Sequence, residues 1–259
     1  MNAAVIEGAE AWGATGTGAR AAVGVVVVHG FTGNPLSTRP MGERLHADGY
    51  TVRVPRLPGH GTTAKDMATT RYADWLAEVD KQVDALHERC DKIVLVGLSM
   101  GGTICLDVGS RRDVAGVVPI NAAILDRDGL LAKLAPVLAY VMPMVPAKLA
   151  GVVEDDIAKP GMTERAYDTV PAKSASSFLR ALPRIRAQLR ELTVPVLVAY
   201  SPQDHTVPPE NSKALAGLLG STDVRELVLS QSYHVATLDL DQQLLQDAVS
   251  SFVAEVTGV

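Results

Sequence analysis

The chain of 259 residues alternates between short apolar runs and longer stretches in which apolar residues recur with helical spacing. Continuous apolar runs are typical of parallel strands whose two faces are both covered by other elements. The helical stretches include one from Tyr72 to Cys90 and a last one from about Asp241 to Val256. This alternation predicts a mostly parallel sheet flanked by helices, with right-handed connections between the strands. The runs that predict strands are residues 22–29, 50–55, 93–96, 114–120, 194–200 and 224–229.

One interval is much longer than this alternation predicts. More than seventy residues separate the run that ends at Ile120 from the next run, although a single helix would be enough to connect two parallel strands. The interval is rich in proline and holds an apolar stretch from Leu130 to Val153. A structureless connection of this length is uncommon inside a compact domain. We therefore predict an inserted cap with its own helices at residues 125–188, on a core formed by residues 1–124 and 189–259.

The apolar stretch within this interval does not predict a membrane span. Lys133 and Lys148 interrupt it, and its uncharged part, residues 134–147, is shorter than the roughly 20 residues that cross a bilayer. Two interpretations stay open: the stretch forms the cap's own core, or it forms the wall of a tunnel for an apolar ligand. In either case an amphipathic cap would cover the site and would be suited to transient contact with a membrane surface.

Composition and charge exclude several classes of partner and cofactor. Charged residues make up 20% of the chain, with a formal net charge of −5 at pH 7, so binding to nucleic acid or anionic lipid is not expected. Cys90 and Cys105 have neither C-x-x-C spacing nor the density of a disulfide scaffold, so they are expected to be reduced thiols. No histidine cluster has ligand spacing, so no metal or organic cofactor is implied. No basic residue precedes Arg20, which predicts no signal peptide and a cytoplasmic location.

A serine motif lies where the third apolar run meets the next helical stretch. Residues 97–102 read GLSMGG, which places a glycine two positions before and two positions after Ser99. This pattern is typical of a strand-to-helix turn so sharp that larger side chains would collide, and such a turn lifts the serine hydroxyl above the sheet edge. The motif alone would also suit an ordinary glycine-rich loop, so its meaning depends on the other candidate residues.

A serine nucleophile needs a histidine as base and an acid that orients the histidine. Catalytic groups of an open parallel sheet gather at the carboxyl ends of its strands, which restricts the candidates. His234 follows the last apolar run, and Asp204 follows the run before it. The sequence therefore predicts a triad of Ser99, Asp204 and His234, in the chain order of α/β-hydrolases.

Other acids and histidines near these positions are given different roles. His205 directly follows the acid and is interpreted as a neighbour that points elsewhere. Asp239 and Asp241 come after the catalytic histidine, where the final helix begins, and His46 and His87 lie in helical, solvent-facing contexts.

The negative oxygen of an acyl-transfer intermediate needs backbone donors aimed at it. One is expected from the residue after the nucleophile, Met100. A second is expected from HGFTG, residues 29–33, where the Phe31 N–H is the natural candidate and Gly30 and Gly33 permit a tight path.

Taken together, these motifs resemble the α/β-hydrolase superfamily, and within it the bacterial monoacylglycerol lipases and carboxylesterases. The resemblance runs from about Val25 to Phe252 and implies the same triad and the same two oxyanion donors. It also implies a small cap between the sixth and seventh core strands, and a loop at residues 56–61 that supports the floor of the site, with His60 structural. The motifs that carry the resemblance are HGFTGNP, PRLPGHGTT, GLSMGGT, PINAA, SPQDHTVPP and SYHVATLD.

The resemblance also singles out Glu164, which matches a cap carboxylate that hydrogen-bonds the glycerol hydroxyls in similar monoacylglycerol lipases. A carboxylate that accepts hydrogen bonds from a diol favours substrates with two adjacent hydroxyls. The alternative is a solvated helix charge paired with Arg165 or Arg186.

Three functions remain as hypotheses. The leading one is a serine hydrolase of carboxylic esters that cleaves monoacylglycerols to glycerol and fatty acid through an acyl-serine intermediate. The second is a carboxylesterase for short-chain or non-lipid esters. The third is a non-catalytic ligand-binding module on the same fold, against which the complete triad argues.

Overall fold

A twisted, mostly parallel sheet of seven strands forms the centre of the molecule. The computed structural model describes residues 3–125, 142–151, 153 and 155–259. In this part of the chain the strand order is β1-β3-β2-β4-β5-β8-β9, with β1 antiparallel to β3 and every other pair parallel. The strands are β1 (Trp12–Ala14), β2 (Val23–Val28), β3 (Thr51–Val54), β4 (Lys92–Leu98), β5 (Gly116–Ile120), β8 (Val196–Tyr200) and β9 (Val224–Val228).

Helices cover both faces of this sheet. On β2, Val26 and Val28 belong to one buried apolar cluster while Val25 and Val27 belong to the other, because successive side chains of a strand point to opposite faces. The first cluster includes residues of α3, α4, α5 and α6, and the second includes residues of α1 and α7. The helices formed by the described residues are α1 (Arg39–Ala47), α2 (Ala64–Ala68), α3 (Tyr72–His87), α4 (Met100–Gly109), α5 (Ala172–Gln188), α6 (Glu210–Leu218) and α7 (Gln242–Thr257).

The strand and helix pattern predicted from the sequence is confirmed in its main features. All six predicted strands are present, and the helix that begins at Tyr72 ends at His87, three residues before the expected Cys90. The sequence pattern did not predict β1, because a three-residue strand with a central glycine has neither an apolar run nor an alternation.

In the long interval between β5 and β8, the described residues form two short strands and one long helix. Strands β6 (Met144–Pro146) and β7 (Thr169–Pro171) form an antiparallel pair, and α5 follows β7 directly. Residues 126–141, which include half of the predicted apolar stretch, lie outside the described residues. The resemblance implied a cap between the sixth and seventh core strands, and this expectation is corrected. Five strands of the large sheet precede the interval in the chain, so the interval lies between the fifth and sixth strands of that sheet.

Candidate active site

The serine motif forms the predicted sharp turn between β4 and α4. Ser99 has φ of 55° and ψ of −122°, a left-handed conformation that costs energy for a residue with a side chain. A Cβ atom at Gly97 would overlap the carbonyl of Gly101, and one at Gly101 would overlap the carbonyl of Val28. The glycines therefore let the turn pack against β2, and the collision argument made from the sequence is confirmed.

Asp204 and His234 lie together beyond the ends of β8 and β9. The Nδ1 atom of His234 is 2.7 Å from Oδ2 of Asp204. The other carboxylate oxygen of Asp204 accepts hydrogen bonds from the N–H groups of Thr206 at 2.8 Å and Val207 at 2.7 Å. The acid is thus held by its own loop, and its free oxygen fixes the orientation of the imidazole.

The electrostatic environment of His234 favours the protonated ring. Burial lowers the pKa of His234, but the charge of Asp204 and its hydrogen bond raise it, and the carboxylates of Glu164 and Asp156 raise it further. The net effect is a pKa above the ordinary value of 6.5. With Nδ1 bonded to Asp204, Nε2 is the ring nitrogen that is left to exchange a proton with a reacting group.

Ser99 and His234 line the same cavity of about 600 Å³. Within the described part of the chain, Ser99 Oγ makes no hydrogen bond, so serine and histidine share the cavity without a direct bond. The rest of the wall is largely apolar and includes Leu98, Leu125, Val170, Phe178, Leu179 and Leu182.

The two expected oxyanion donors lie beside this serine. Met100 is the first residue of α4, and the first N–H groups of a helix have no intrahelical acceptor. No described residue accepts a hydrogen bond from the Phe31 N–H, and Phe31 lines the cavity. A Cβ atom at Gly30 would lie 3.2 Å from Cβ of Ser99, so the loop after β2 passes close to this serine.

Two further buried histidines support the loop after β2 and are unsuited to act as bases. His29 Nδ1 bonds the Gly30 carbonyl at 2.9 Å, and its Nε2 accepts from the Leu57 N–H at 3.2 Å. Burial lowers the pKa of His29 to about 4 and lowers that of His60 well below its usual range. The rings are 5.0 Å apart, and His60 also packs edge-on against Trp75. This packing agrees with the structural role expected for His60.

Glu164 reaches the cavity from the interval between β5 and β8. It is 8% exposed and lies outside any helix, so the alternative of a solvated helix charge is wrong. Its carboxylate makes no hydrogen bond to a described residue, although its backbone is held by Asn34 Nδ2 at 2.9 Å and by Asp155 Oδ1 at 2.8 Å. Burial raises the pKa of Glu164 to about 7, and the neighbouring charge of His234 opposes that rise.

Three polar residues that hold the histidine loop were not found from the sequence. Asn121 donates from Nδ2 to the carbonyl of His234 at 2.7 Å, and its Oδ1 accepts from the Ser201 N–H at 2.8 Å. Asp239 is 1% exposed and accepts four backbone N–H bonds, one of them from Tyr233. Asp239 therefore anchors a loop, and only Asp241 stands at the N-terminus of α7 as expected. The PINAA motif contains Asn121 and was the one available signal.

The third residue is Asp156, in the interval between β5 and β8. Its carboxylate accepts from the His205 N–H at 3.0 Å and contacts His205 Nδ1 at 2.7 Å. The prediction that the His205 ring points away from the triad is therefore confirmed.

The chain belongs to the Hydrolase_4 family, described as serine aminopeptidase S33, whose model matches residues 19–241. A thermostable monoacylglycerol lipase from Bacillus sp. (strain H-257) is 37% identical over 246 residues, which cover 91% of this chain and 92% of that protein. A carboxylesterase from Bacillus subtilis (strain 168) is 25% identical, with coverage of 90% and 92%.

Solved structures agree with this assignment. A chain from the structures of two metagenome-derived lipolytic enzymes, LipS and LipT, matches with a TM-score of 0.89 at 36% identity, covering 97% of this chain and 100% of that one. The monoacylglycerol lipase of Paleococcus ferrophilus matches with a TM-score of 0.77 at 20% identity, covering 95% and 99%. The fold is therefore that of the α/β-hydrolases, as the sequence predicted.

The described residues contain no candidate membrane helix and no candidate metal cluster. No helix there is both long and apolar enough to cross a membrane. The same residues contain no group of three or more histidine, cysteine, aspartate or glutamate side chains that could hold a metal ion.

Proposed function

We propose that the protein is a serine hydrolase of carboxylic esters and that monoacylglycerols are its substrates. The observation that carries the proposal is the site itself: a serine in a strained turn and a histidine that is bonded to an aspartate line one largely apolar cavity. An apolar cavity of about 600 Å³ suits an acyl chain, and the few polar groups in its wall, Ser99 and His234 among them, suit an ester.

Each group of the site has a defined role in the proposed reaction. The Nε2 atom of His234 takes the proton of Ser99 as Oγ attacks the ester carbonyl, and the N–H groups of Phe31 and Met100 stabilise the oxyanion. The histidine then gives its proton to the departing alkoxide, which leaves as glycerol. The same nitrogen then deprotonates water, which attacks the acyl-serine. The bond between the acyl carbon and Oγ breaks, the histidine returns the proton to Ser99, and the fatty acid is released, while Asp204 stabilises the imidazolium in both halves.

Glu164 is the group that favours a glycerol leaving group. It is buried at the cavity wall near His234, where an alcohol product departs, and its oxygens are without a hydrogen-bond partner among the described residues. A buried carboxylate without partners costs free energy, and two substrate hydroxyls would supply the missing donors. The 37% identity to a monoacylglycerol lipase supports the same substrate class.

A carboxylesterase for short-chain or non-lipid esters is the alternative, and the similarity to the Bacillus subtilis carboxylesterase favours it. A panel of monoacylglycerols, diacylglycerols, triacylglycerols, short p-nitrophenyl esters and an aminoacyl p-nitroanilide separates the candidates. We expect kcat/KM to be highest for monoacylglycerols. A preference for short p-nitrophenyl esters would favour the alternative, and faster cleavage of the anilide would favour the peptidase chemistry in the family's description.

Several expectations accompany this proposal. The insertion at residues 125–188 would act as a cap and contact a lipid surface transiently, although Leu182 and Ile185 of α5 pack in the same apolar cluster as α3 and α4. Binding to liposomes that contain monoacylglycerol tests this contact, and absence of binding would contradict it. The cytoplasmic location stays a prediction, which cell fractionation tests.

A further inference from the structure

A single buried residue connects the inserted segment to both loops that carry the acid and the histidine. Asp156 is 3% exposed and precedes Glu164 in the same segment. Its carboxylate binds the backbone and ring of His205, the residue directly after Asp204. Its own carbonyl accepts a hydrogen bond from the N–H of Val235 at 3.1 Å, and Val235 directly follows His234.

Bonds of the core also join the two loops, because Asn121 accepts from the Ser201 N–H and donates to the His234 carbonyl, and Ser201 Oγ donates to the Ser232 carbonyl. Asp204 is held by N–H groups of residues 206 and 207, and the His234 carbonyl by Asn121. None of these bonds comes from the inserted segment, whereas Asp156 uses that segment to bond the residue directly after the acid and the residue directly after the histidine. A displacement of about 1 Å between catalytic groups can cost roughly 100-fold in rate.

We propose that Asp156 is a positioning residue that fixes the Asp204 loop and the His234 loop to each other through the inserted segment. The inference rests on the proposed function, since it assumes that these two loops carry the reacting pair. Asp156 touches neither the cavity nor the substrate in this account, and it acts only through the residues that follow the acid and the histidine.

Because Asp156 carries a charge, its substitution should change the pKa of His234, whereas loss of an uncharged structural side chain would leave that pKa unchanged. The ring of His234 is faced by the carboxylates of Asp204, Glu164 and Asp156, and the last of these contributes to the raised pKa of His234. The exposed ring of His205 also lies against Asp156, with Nδ1 at 2.7 Å from Oδ1 of the carboxylate. Removal of the Asp156 charge should therefore lower the pKa of His234.

Three variants of the full chain test the proposal: Asp156→Ala, Asp156→Asn and a matched control, Ser174→Ala. Ser174 lies on α5 and bonds the carbonyls of Met67 and Thr70 at 2.8 Å, so the control removes insertion-to-core bonds far from the triad loops. Turnover of p-nitrophenyl butyrate from pH 5 to 9 gives kcat, KM and the acid limb of kcat/KM. A ring titration by NMR, with the His234 signal assigned from a His234→Gln spectrum, gives its pKa without turnover.

Asp156→Ala should lower kcat by about 10- to 100-fold with little change in KM, the range found when a group that orients a catalytic ligand is removed. Asp156→Asn keeps the side-chain shape and should shift both the acid limb and the ring titration to lower pH. Ser174→Ala should keep the wild-type kcat and acid limb, even if its melting temperature falls.

The proposal is overturned if the ring titration and the acid limb of Asp156→Asn coincide with the wild type, whatever its activity. Wild-type kcat in a folded Asp156→Ala would overturn it as well. A wild-type protein that hydrolyses no ester would instead refute the proposed function, and the ring titration would still decide whether Asp156 sets the environment of His234.

Discussion

The substitution Glu164→Gln tests the substrate assignment, because it replaces a buried carboxylate in the cavity with a neutral amide of the same shape. Hydrogen bonds to a charged group contribute about 1.5–3 kcal/mol, which corresponds to a roughly 10- to 150-fold loss in kcat/KM for a monoacylglycerol. The same substitution should hardly affect a p-nitrophenyl ester of equal chain length, because its leaving group offers no hydroxyl.

The raised pKa of Glu164 adds a pH dependence with a definite sign. With a pKa of about 7, the carboxyl is roughly 90% ionised at pH 8 and roughly 10% ionised at pH 6. At pH 6 the wild-type side chain therefore already resembles glutamine. The ratio of kcat/KM between the two substrates should differ strongly between wild type and Glu164→Gln at pH 8, and only weakly at pH 6.

The assay compares 1-monolauroylglycerol with p-nitrophenyl laurate at both pH values, so that the titration of His234 cancels in the ratio. Asp168→Asn is the matched control, since Asp168 is an exposed acid of the same insertion that does not line the cavity. Equal losses on both substrates would make Glu164 a structural residue. An unchanged kcat/KM for both substrates would refute the contact between Glu164 and the diol, and would favour a general carboxylesterase as the function.

The same variant should change stability in a direction set by linkage. The folded pKa of about 7 lies above the ordinary 4.5, so ionisation of Glu164 opposes folding and stability falls as pH rises from 4.5 through 7. The full difference corresponds to about 3 kcal/mol as an order of magnitude. Glu164→Gln should therefore raise the melting temperature at pH 8 more than at pH 5, and an equal change at both pH values would contradict a buried, titrating carboxylate.

Three other predictions follow from the site and its turn. Asp204→Asn should reduce kcat less than His234→Ala, because the ring keeps some basicity without its partner; steady-state rates for both variants check this, and a silent Asp204→Asn would contradict the assignment. The rate should rise with pH through the raised pKa of His234, since only the neutral ring accepts a proton, and a flat profile from about pH 5 to 9 with chemistry rate-limiting would oppose a histidine base. Gly101→Ala should lower the free energy of unfolding by about 1–3 kcal/mol, because its Cβ would meet the Val28 carbonyl. Gly217→Ala has open space around its Cβ in α6 and should raise the free energy of unfolding by about 0.5–1 kcal/mol. Thermal melts compare the two variants, and an unchanged stability of Gly101→Ala would contradict the packing argument.

The parts of the site that could be predicted from sequence are those determined by short-range patterns. The spacing of glycines around Ser99 predicts the turn because the collisions occur within five residues and one neighbouring strand. Asp204 and His234 could be located because parallel strands bring their carboxyl ends to one edge of the sheet. The structure places these two side chains 2.7 Å apart, as that rule requires.

The residues that sequence reasoning missed depend on contacts between distant parts of the chain. Asp156 meets His205 across 49 positions, and Asn121 meets His234 across 113. Neither pair has a short sequence spacing or an apolar pattern from which the contact could be predicted. Asp239 was expected to begin the final helix together with Asp241. Its position in the sequence does not indicate that its carboxylate accepts four backbone N–H bonds from three separate segments.

The central claim, that Ser99 is the nucleophile of an ester hydrolase, is tested most directly by Ser99→Ala. Its kcat on a monoacylglycerol should fall by on the order of 10⁴-fold or more, and a fluorophosphonate that labels the wild type should not label the variant. Its circular dichroism spectrum should stay that of the wild type, since the hydroxyl forms no hydrogen bond among the described residues. Retention of more than about a tenth of the wild-type rate would remove Ser99 from the mechanism and contradict the account.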